Sequence, residues 1–475
     1  MAKLILGPFI GGASSTGANL WGRADGLGRL RAWLGHQADL SDAWLAAESL
    51  PLAAADGFAG VAPVSGLSPD TRYFYHLSLS PRPPNPSFAP YLEFTTFPQP
   101  GEKTSFAFAF GSCFRPEEEQ GGQIYRTIAR QRLKDNLRFI LLLGDQIYAD
   151  DCPLDGIEKV ATSLADYRAV YAYTFSRPPF RDLLASLPVF MTMDDHEVDD
   201  DWTWTDSNRT LAQIPIWDRV TRWIKGRPRV EWQIPRGRVQ DALKAYWEHQ
   251  GMHAPHFVLP PSLDSQEQYT LDPEDPGSLA YTFTYGAAAF FVLDTRTMRV
   301  KGRAETSMLG EGQWKVLEKW FLRVKDVYPV KFLVTSCALL FSMWIDIPRD
   351  RWSGFPKERE RLLRFLADHG IEGVYLLTGD LHTAHAVRAE LLGPHERAFP
   401  LWEFCASPFE QAPNRLSSRT YRPIRSGSVK NQQLLFCERQ HNFGLVRVDF
   451  SNHTTPRVKF EVYGKTGVLI GEAGE

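Results

Sequence analysis

Apolar residues along this chain gather into short unbroken runs, and five of those runs stop at side chains able to do chemistry. The runs are Phe106–Phe110, Phe139–Leu143, Val189–Met193, Phe290–Leu293 and Val374–Leu377. Runs this short, without strict alternation, read as strands buried on both faces. Longer stretches of helical period lie between them, including Tyr125–Lys134, Gln313–Val324 and Lys357–His369. Strands alternating with helices predict α/β packing.

Residues 1–98 have another rhythm. Ala18–Gly22, Leu30–Leu34 and Tyr73–Leu79 are β-like runs, the last preceded by the turn cluster Leu67-Ser68-Pro69-Asp70-Thr71. Pro81, Pro83, Pro84 and Pro86 mark a loop, and Pro98 with Pro100 marks the approach to a linker. A small N-terminal β-sandwich over 1–98, followed by a large α/β domain over 104–475, is the expected division. A chain of 475 residues exceeds what one hydrophobic core usually supports. Residues 200–280 interrupt the α/β rhythm with Trp202, Trp204, Trp217, Trp223, Trp232 and Trp247. This Trp-rich segment reads either as a cover over a site or as a second helical layer, since Trp is a large core residue.

The clusters at the strand ends are Gly111-Ser112-Cys113, Gly144-Asp145-Gln146-Ile147-Tyr148, Asp194-Asp195-His196-Glu197, Leu293-Asp294-Thr295-Arg296 and Gly379-Asp380-Leu381-His382. Ligands of α/β sheets collect beyond the carboxyl ends of strands. One Gly-Asp end is ordinary turn chemistry. Five ends that also carry Cys, Tyr and His describe a metal-dependent phosphoesterase site. Asp145 and Tyr148 can reach one point, and a carboxylate with a phenolate suits a hard trivalent cation such as Fe(III). Tyr148 packing on a neighbour, and Cys113 as a small buried hydrophobe, are the plainer readings.

Six acids crowd between Asp194 and Asp201, around His196 and Val198. Their repulsion is hard to bury without a cation, although a solvated acidic loop would also carry them. Asp195 and His196 are the candidate catalytic pair, and Asp195 and Asp200 are candidate ligands. Asp380 is placed to bridge two ions, and His382 to ligate one or to touch substrate. His385 reads as structural. Arg115 and Arg296, with Arg299 behind them, are candidates to clamp a phosphate, although each also reads as a structural arginine.

Net charge is −3, which gives no general reason to expect nucleic-acid or membrane binding but leaves room for local basic patches. No apolar run approaches the roughly eighteen residues of a membrane-spanning helix. The opening Met1–Pro8 holds too short an apolar run for a signal peptide, so a cytoplasmic location is expected, or a periplasmic or secreted one if a leader has been removed. Five scattered cysteines do not suggest a disulfide framework. Gly464-Lys465-Thr466 ends like a P-loop, but Lys459 stands where its first glycine belongs. His196-Glu197 lacks the second histidine of a zincin.

Taken in order, these elements resemble the PhoD family of alkaline phosphatases and phosphodiesterases, within the metallophosphoesterases that include purple acid phosphatases. The resemblance runs through Gly-Ser-Cys at 111–113, Gly-Asp-x-x-Tyr at 144–148, Asp-Asp-His-Glu-Val at 194–198 and Leu-Asp-Thr-Arg at 293–296. It continues through Leu-Gly-Glu-Gly-Gln at 309–313, Trp-Ser-Gly-Phe-Pro at 352–356, Gly-Asp-Leu-His at 379–382 and Asn-Phe-Gly-Leu-Val at 442–446. It implies a four-layer αββα sandwich with an iron and calcium centre, other divalent metals remaining open. Cys113, Asp145, Tyr148 and Asp380 would then surround Fe(III). Asp145, Asp380 and a residue of the 194–201 loop would hold Ca(II). The family usually follows its Asp-Asp-His-Glu motif with two asparagines. Asp200-Asp201 stand there in this chain, making the site more anionic.

The implied reaction is hydrolysis of a small-molecule phosphate ester, diesters ahead of monoesters, by a metal-bound hydroxide, with His196 assisting the leaving oxygen. Two alternatives stand beside it: a phospholipase D-type phosphodiesterase, and a non-catalytic binding protein whose degenerate metal site only stabilises the fold. The oligomeric state is not legible in the sequence.

Overall fold

The structure is a computed structural model, and it describes residues 2–116, 121–150, 157, 159–203, 220, 223, 234–260, 277–301, 306–344, 350–451 and 456–474. In the strand Phe106–Gly111 large and small residues alternate. Phe106, Phe108 and Phe110 enter one core while Ala107 and Ala109 enter another on the opposite face. Phe139 and Leu141 against Ile140 and Leu142 repeat the split, as do Phe332 against Leu333 and Leu377 against Leu376. Every central strand is therefore apolar on both faces, and two sheets stacked between helices satisfy that pattern.

One sheet has nine strands in the order Leu469–Gly474, Arg457–Gly464, Asn442–Asp449, Phe106–Gly111, Leu137–Leu143, Val189–Thr192, Leu4–Gly11, Ala18–Ala24 and Ala59–Val64. The other has eight, in the order Phe257–Leu259, Ser278–Tyr285, Ala288–Val292, Val330–Val334, Val374–Thr378, Ala398–Cys405, Ala384–Leu392 and Val429–Glu438. Phe108 meets Phe332 of the facing sheet edge-on at 5.3 Å, and Phe404 stacks on Phe460 at 4.8 Å. The helices Gln123–Asp135, Leu164–Phe175 and Arg236–His249 cover the outer face of the nine-stranded sheet. Gly310–Val324 and Pro356–Asp368 cover the other. This is the four-layer αββα sandwich.

The N-terminal strands form a sandwich by sharing a sheet. Trp44–Glu48, Arg31–Gly35, Arg72–Ser78 and Leu92–Thr95 make a separate four-stranded sheet. Its Leu34, Tyr75 and Phe94 pack in one core with Ile10, Leu20 and Val64 of the nine-stranded sheet. A division between 98 and 104 thus separates strands that are neighbours, because Leu4–Gly11 runs parallel beside Val189–Thr192. Of the Trp-rich segment, Trp204, Trp217 and Trp232 lie outside the described residues. The described helix Arg236–His249 packs as part of the outer layer through Val239, Ala242 and Tyr246.

Parallel pairing aligns the strand ends that matter. Phe106–Gly111, Leu137–Leu143 and Val189–Thr192 are parallel neighbours, as are Ala288–Val292, Val330–Val334, Val374–Thr378 and Ala398–Cys405. Their carboxyl ends meet at one rim. There Thr192 donates to Leu293 O across the two sheets at 3.2 Å, and Asp380 N donates to Ser112 Oγ at 3.1 Å.

Two buried imidazoles join the N-terminal strands to the helical layer. His249 stacks on Tyr171 at 4.5 Å, His253 stands edge-on to Phe9, and Trp21 Nε1 donates to Glu248 O at 2.8 Å. Burial lowers the pKa of His249 to about 3 and that of His253 to about 4. Both are neutral when folded, whereas the unfolded chain takes up protons below about 6.5. Their contribution is complete above that value and is lost as pH falls towards about 4 for His253 and about 3 for His249. Melting temperature should therefore decline across this window, and decline less steeply in His253→Gln. Equal slopes in the two proteins would remove His253 from the acid lability.

Candidate metal centre

The turns at the rim hold unusual backbone. Cys113, Asp145, Asp201, Asp380 and His382 all have φ between 52° and 62°. For residues with a side chain, each such left-handed position costs on the order of 1–3 kcal/mol and needs its surroundings to impose it. At Asp145, Glu197 supplies this, accepting from Asp145 N at 3.2 Å, Gln146 N at 2.9 Å and Asp194 N at 2.9 Å. Gly144 has φ 97°, and a Cβ there would lie 2.5 Å from that of Asp194. Only glycine allows the two loops to approach so closely.

Asp145 is the side chain common to three clusters. One of its oxygens lies within 4.8 Å of ligand atoms of Cys113 and His382, of Asp194 and Asp380, and of Asp195 and His196. Asp150, His196 and Asp200 form a further group, as do Asp195, Asp201 and Asp350. The Cys113 thiol donates to Asp145 Oδ2 at 3.2 Å and accepts from Ser407 Oγ at 3.3 Å. Tyr148 OH lies 3.5 Å from His382 Nε2. His382 Nδ1 is hydrogen-bonded to Ala412 O at 2.8 Å, which leaves Nε2 with its lone pair turned to the cluster.

Charge is crowded here. Burial, then Arg296 opposing and Asp195 and Asp380 reinforcing, leaves Asp194 raised to about 7. Burial and the Cys113 charge push Asp145 well above the carboxylate range. Burial, with Asp380 beside it, pushes the Cys113 thiol up to about 12, and Tyr148 is raised well above its ordinary value. Burial lowers His382 to about 4. Burial also works against a charged His196, yet Asp150, Asp195 and Asp145 raise it well above 6.5. Asp145 Oδ1 and Asp194 Oδ2 are buried with no hydrogen-bond partner among the described residues. A cation answers each of these features: it supplies the missing partner and favours the deprotonated acids, thiol and phenol. The residues fit a metal centre.

Most of the expected residues meet. Cys113, Asp145, Tyr148, Asp195, His196, Asp200, Asp380 and His382 all lie in or against these clusters. Arg115 is half-buried two residues beyond Cys113, its backbone N donating to Glu410 O at 3.2 Å. Arg296 is a correction. It is wholly buried, and its guanidinium is taken up by Asp194, by Asp350 at 2.6 Å and by Trp202 O at 3.1 Å, so it faces acids instead of an incoming phosphate. The strand end at Asp294 is a turn brace, accepting from Leu279 N, Arg296 N and Thr297 N. His385 is structural, buried at 2.9 Å from Glu403, which itself accepts from Leu339 N, Leu340 N and Phe341 N.

Within the 194–201 loop, Asp194 joins Asp145 and Asp380. Three further side chains against the clusters are not singled out by the sequence. Asp150 holds His196 Nδ1 at 2.7 Å and accepts from Asp200 N at 3.1 Å. Asp350 balances Arg296, Arg299 and Lys301; burial alone would raise it, and these cations hold it well below the carboxylate range. Arg351, partly exposed, donates to Asp380 Oδ2 at 2.9 Å. Asp150 lies two residues past Tyr148, a spacing that could have drawn attention. Asp350 and Arg351 carry no local signal.

Two face-to-face sheets whose parallel strands deliver acids, a thiol, a phenol and imidazoles to one rim define a metallophosphoesterase-like protein. The chain belongs to the PhoD-like phosphatase family, whose model matches residues 106–458. It is 26% identical over 356 residues to alkaline phosphatase D of Bacillus subtilis (strain 168), a stretch that is 68% of this chain and about half, 52%, of that relative. A solved structure of PhoD matches its fold with TM-score 0.67 at 19% identity, covering 99% of this chain and 92% of the other. The purple acid phosphatase PPD1 from yellow lupin (Lupinus luteus) seeds matches with TM-score 0.57 at 13% identity, covering 100% and 73%.

Removing Arg296 leaves Asp194 and Asp350 facing each other without their buried cation. Arg296→Met should therefore destabilise the fold by about 3–5 kcal/mol, read by denaturant titration. A loss under about 1 kcal/mol, the range of an exposed pair, would show that the cluster does not depend on it.

Proposed function

We propose that this chain hydrolyses phosphate esters, diesters ahead of monoesters, at a centre of iron and calcium. The carrying observation is Asp145, shared between a Cys113, Tyr148 and His382 side and an Asp194, Asp195 and Asp380 side, with a buried oxygen unpartnered. Family membership and the similarity to alkaline phosphatase D support the reaction class. Thiolate, phenolate and imidazole together suit a redox-capable transition metal such as iron; the all-carboxylate side suits the hard calcium ion. Cys113, Asp145, Tyr148, Asp380 and His382 would hold the first, and Asp145, Asp380, Asp194 or Asp195, and Asp200 the second. Such ions, when bound, make water a nucleophile at neutral pH and offset charge on the phosphoryl oxygens.

The chain's own residues do the rest. Asp150 fixes His196 through Nδ1 and so presents Nε2 to the rim, where it gives a proton to the leaving oxygen. Tyr148 packs 4.2 Å from the His196 ring and limits its rotation. Arg351, which donates to Asp380 Oδ2, and Arg115, two residues beyond Cys113, would supply donors to the phosphate oxygens. The non-catalytic alternative is weakened by the number of intact, buried ligand side chains.

Turnover of bis(p-nitrophenyl) phosphate and p-nitrophenyl phosphate tests this reading. Asp145→Ala and Asp380→Ala should lose bound metal and activity together. His196→Ala should keep its metal and lose roughly 100-fold or more in kcat. Asp150→Asn should keep its metal and lose about tenfold, with KM little changed, because only the orientation of His196 is disturbed. Full turnover in His196→Ala would contradict its role.

A further inference from the structure

Net charge hides a strongly basic stretch beside the centre. Residues 411–430 contain Arg415, Arg419, Arg422, Arg425 and Lys430 and not one acid, in a chain whose overall charge is −3. All five are exposed. Hydrogen bonds tie the stretch to the rim: Ala412 O holds His382 Nδ1, Asn414 N donates to His382 O at 2.8 Å, and Leu416 N donates to Asn414 Oδ1 at 3.0 Å. Arg439 reaches in to donate to Arg415 O at 2.9 Å.

Two large apolar side chains stand out of the same surface. Leu416 is 55% exposed and Trp344 is 63% exposed. They are brought together because Thr420 N donates to Leu416 O at 3.0 Å and Trp344 N donates to Thr420 O at 2.9 Å. The pairing of Ser342–Met343 with Tyr421–Arg422 fixes that junction.

We infer that this rim is a docking surface for an anionic lipid membrane, which it holds against the mouth of the metal centre. Arginines with exposed Trp and Leu among them match the two parts of such a surface: anionic headgroups attract the cations, and the apolar side chains enter the boundary beneath. A single-stranded nucleic acid would call for a row of open aromatic faces. Here Tyr421 is half-buried against Phe341 at 4.9 Å, which leaves Trp344 as the exposed ring of this rim. None of the described helices is long and apolar enough to cross a membrane.

Co-sedimentation of the full chain with vesicles reads this without turnover, so its outcome is separate from the choice of ester. Equal parts phosphatidylglycerol and phosphatidylcholine should bind the protein, and phosphatidylcholine alone should not. Arg419→Gln/Arg422→Gln/Arg425→Gln should bind on the order of 100-fold more weakly, as about three headgroup attractions are lost. Trp344→Ser/Leu416→Ser should bind roughly tenfold more weakly. Both variants should turn over a soluble ester at the parent rate. Failure of the parent to sediment with anionic vesicles, or variants that sediment as it does, would overturn the inference. So would binding that ignores Trp344 and Leu416 and is displaced by soluble polyphosphate, which would make the rim a site for a soluble polyanion.

Discussion

Eight carboxylates converge on one rim of this molecule, and most of them are buried: Asp145, Asp150, Asp194, Asp195, Asp200, Asp201, Asp350 and Asp380. At an interior effective dielectric, like charges a few ångströms apart repel by several kcal/mol. The architecture around them responds to that repulsion. Arg296 enters between Asp194 and Asp350, Arg299 and Lys301 flank Asp350, and Arg351 meets Asp380. These cations balance the rear of the cluster. Its front, at Asp145 and Asp194, retains oxygens that no described donor reaches, and a bound cation would complete it.

A second use of carboxylates makes that crowding tolerable. Glu197 binds three backbone N–H groups across two loops, Glu403 binds three in the 339–341 turn, and Glu410 accepts from Gly122 N and Ile124 N at the start of the helix Gln123–Asp135. Amide donors stabilise a buried anion without adding a mobile side chain. Of the left-handed residues at the rim, Asp145 is held directly by such a brace, its backbone N and that of Gln146 both donating to Glu197.

Much of this was legible in the sequence for a simple reason: a parallel strand buried on both faces must be continuously apolar, so its end is marked by the first polar residue. Cys113, Asp145, Asp380 and the 194–201 loop all follow such marks, which is why the sequence singles them out as candidates. Arg296 follows one too, but its direction depends on which acids surround it after folding, and it turned inward. Asp350 and Arg351 come from the stretch between the strands Val330–Val334 and Val374–Thr378, where no local pattern announces a site. The N-terminal strands were recognised as β structure. Their continuity with the large sheet rests on a pairing between Gly11 and Val189, a contact too distant in sequence for periodicity to reveal. The basic rim was invisible in the net charge because acids elsewhere cancel it.

Everything turns on whether cations occupy the front of the cluster. Elemental analysis of the purified chain, taken with its visible spectrum, asks this directly. Roughly one iron per chain together with calcium, and an absorption band from phenolate or thiolate charge transfer, is the expected result. Protein that stays metal-free after iron and calcium have been supplied would contradict the account, since the unpartnered oxygens of Asp145 and Asp194 would then have some other explanation.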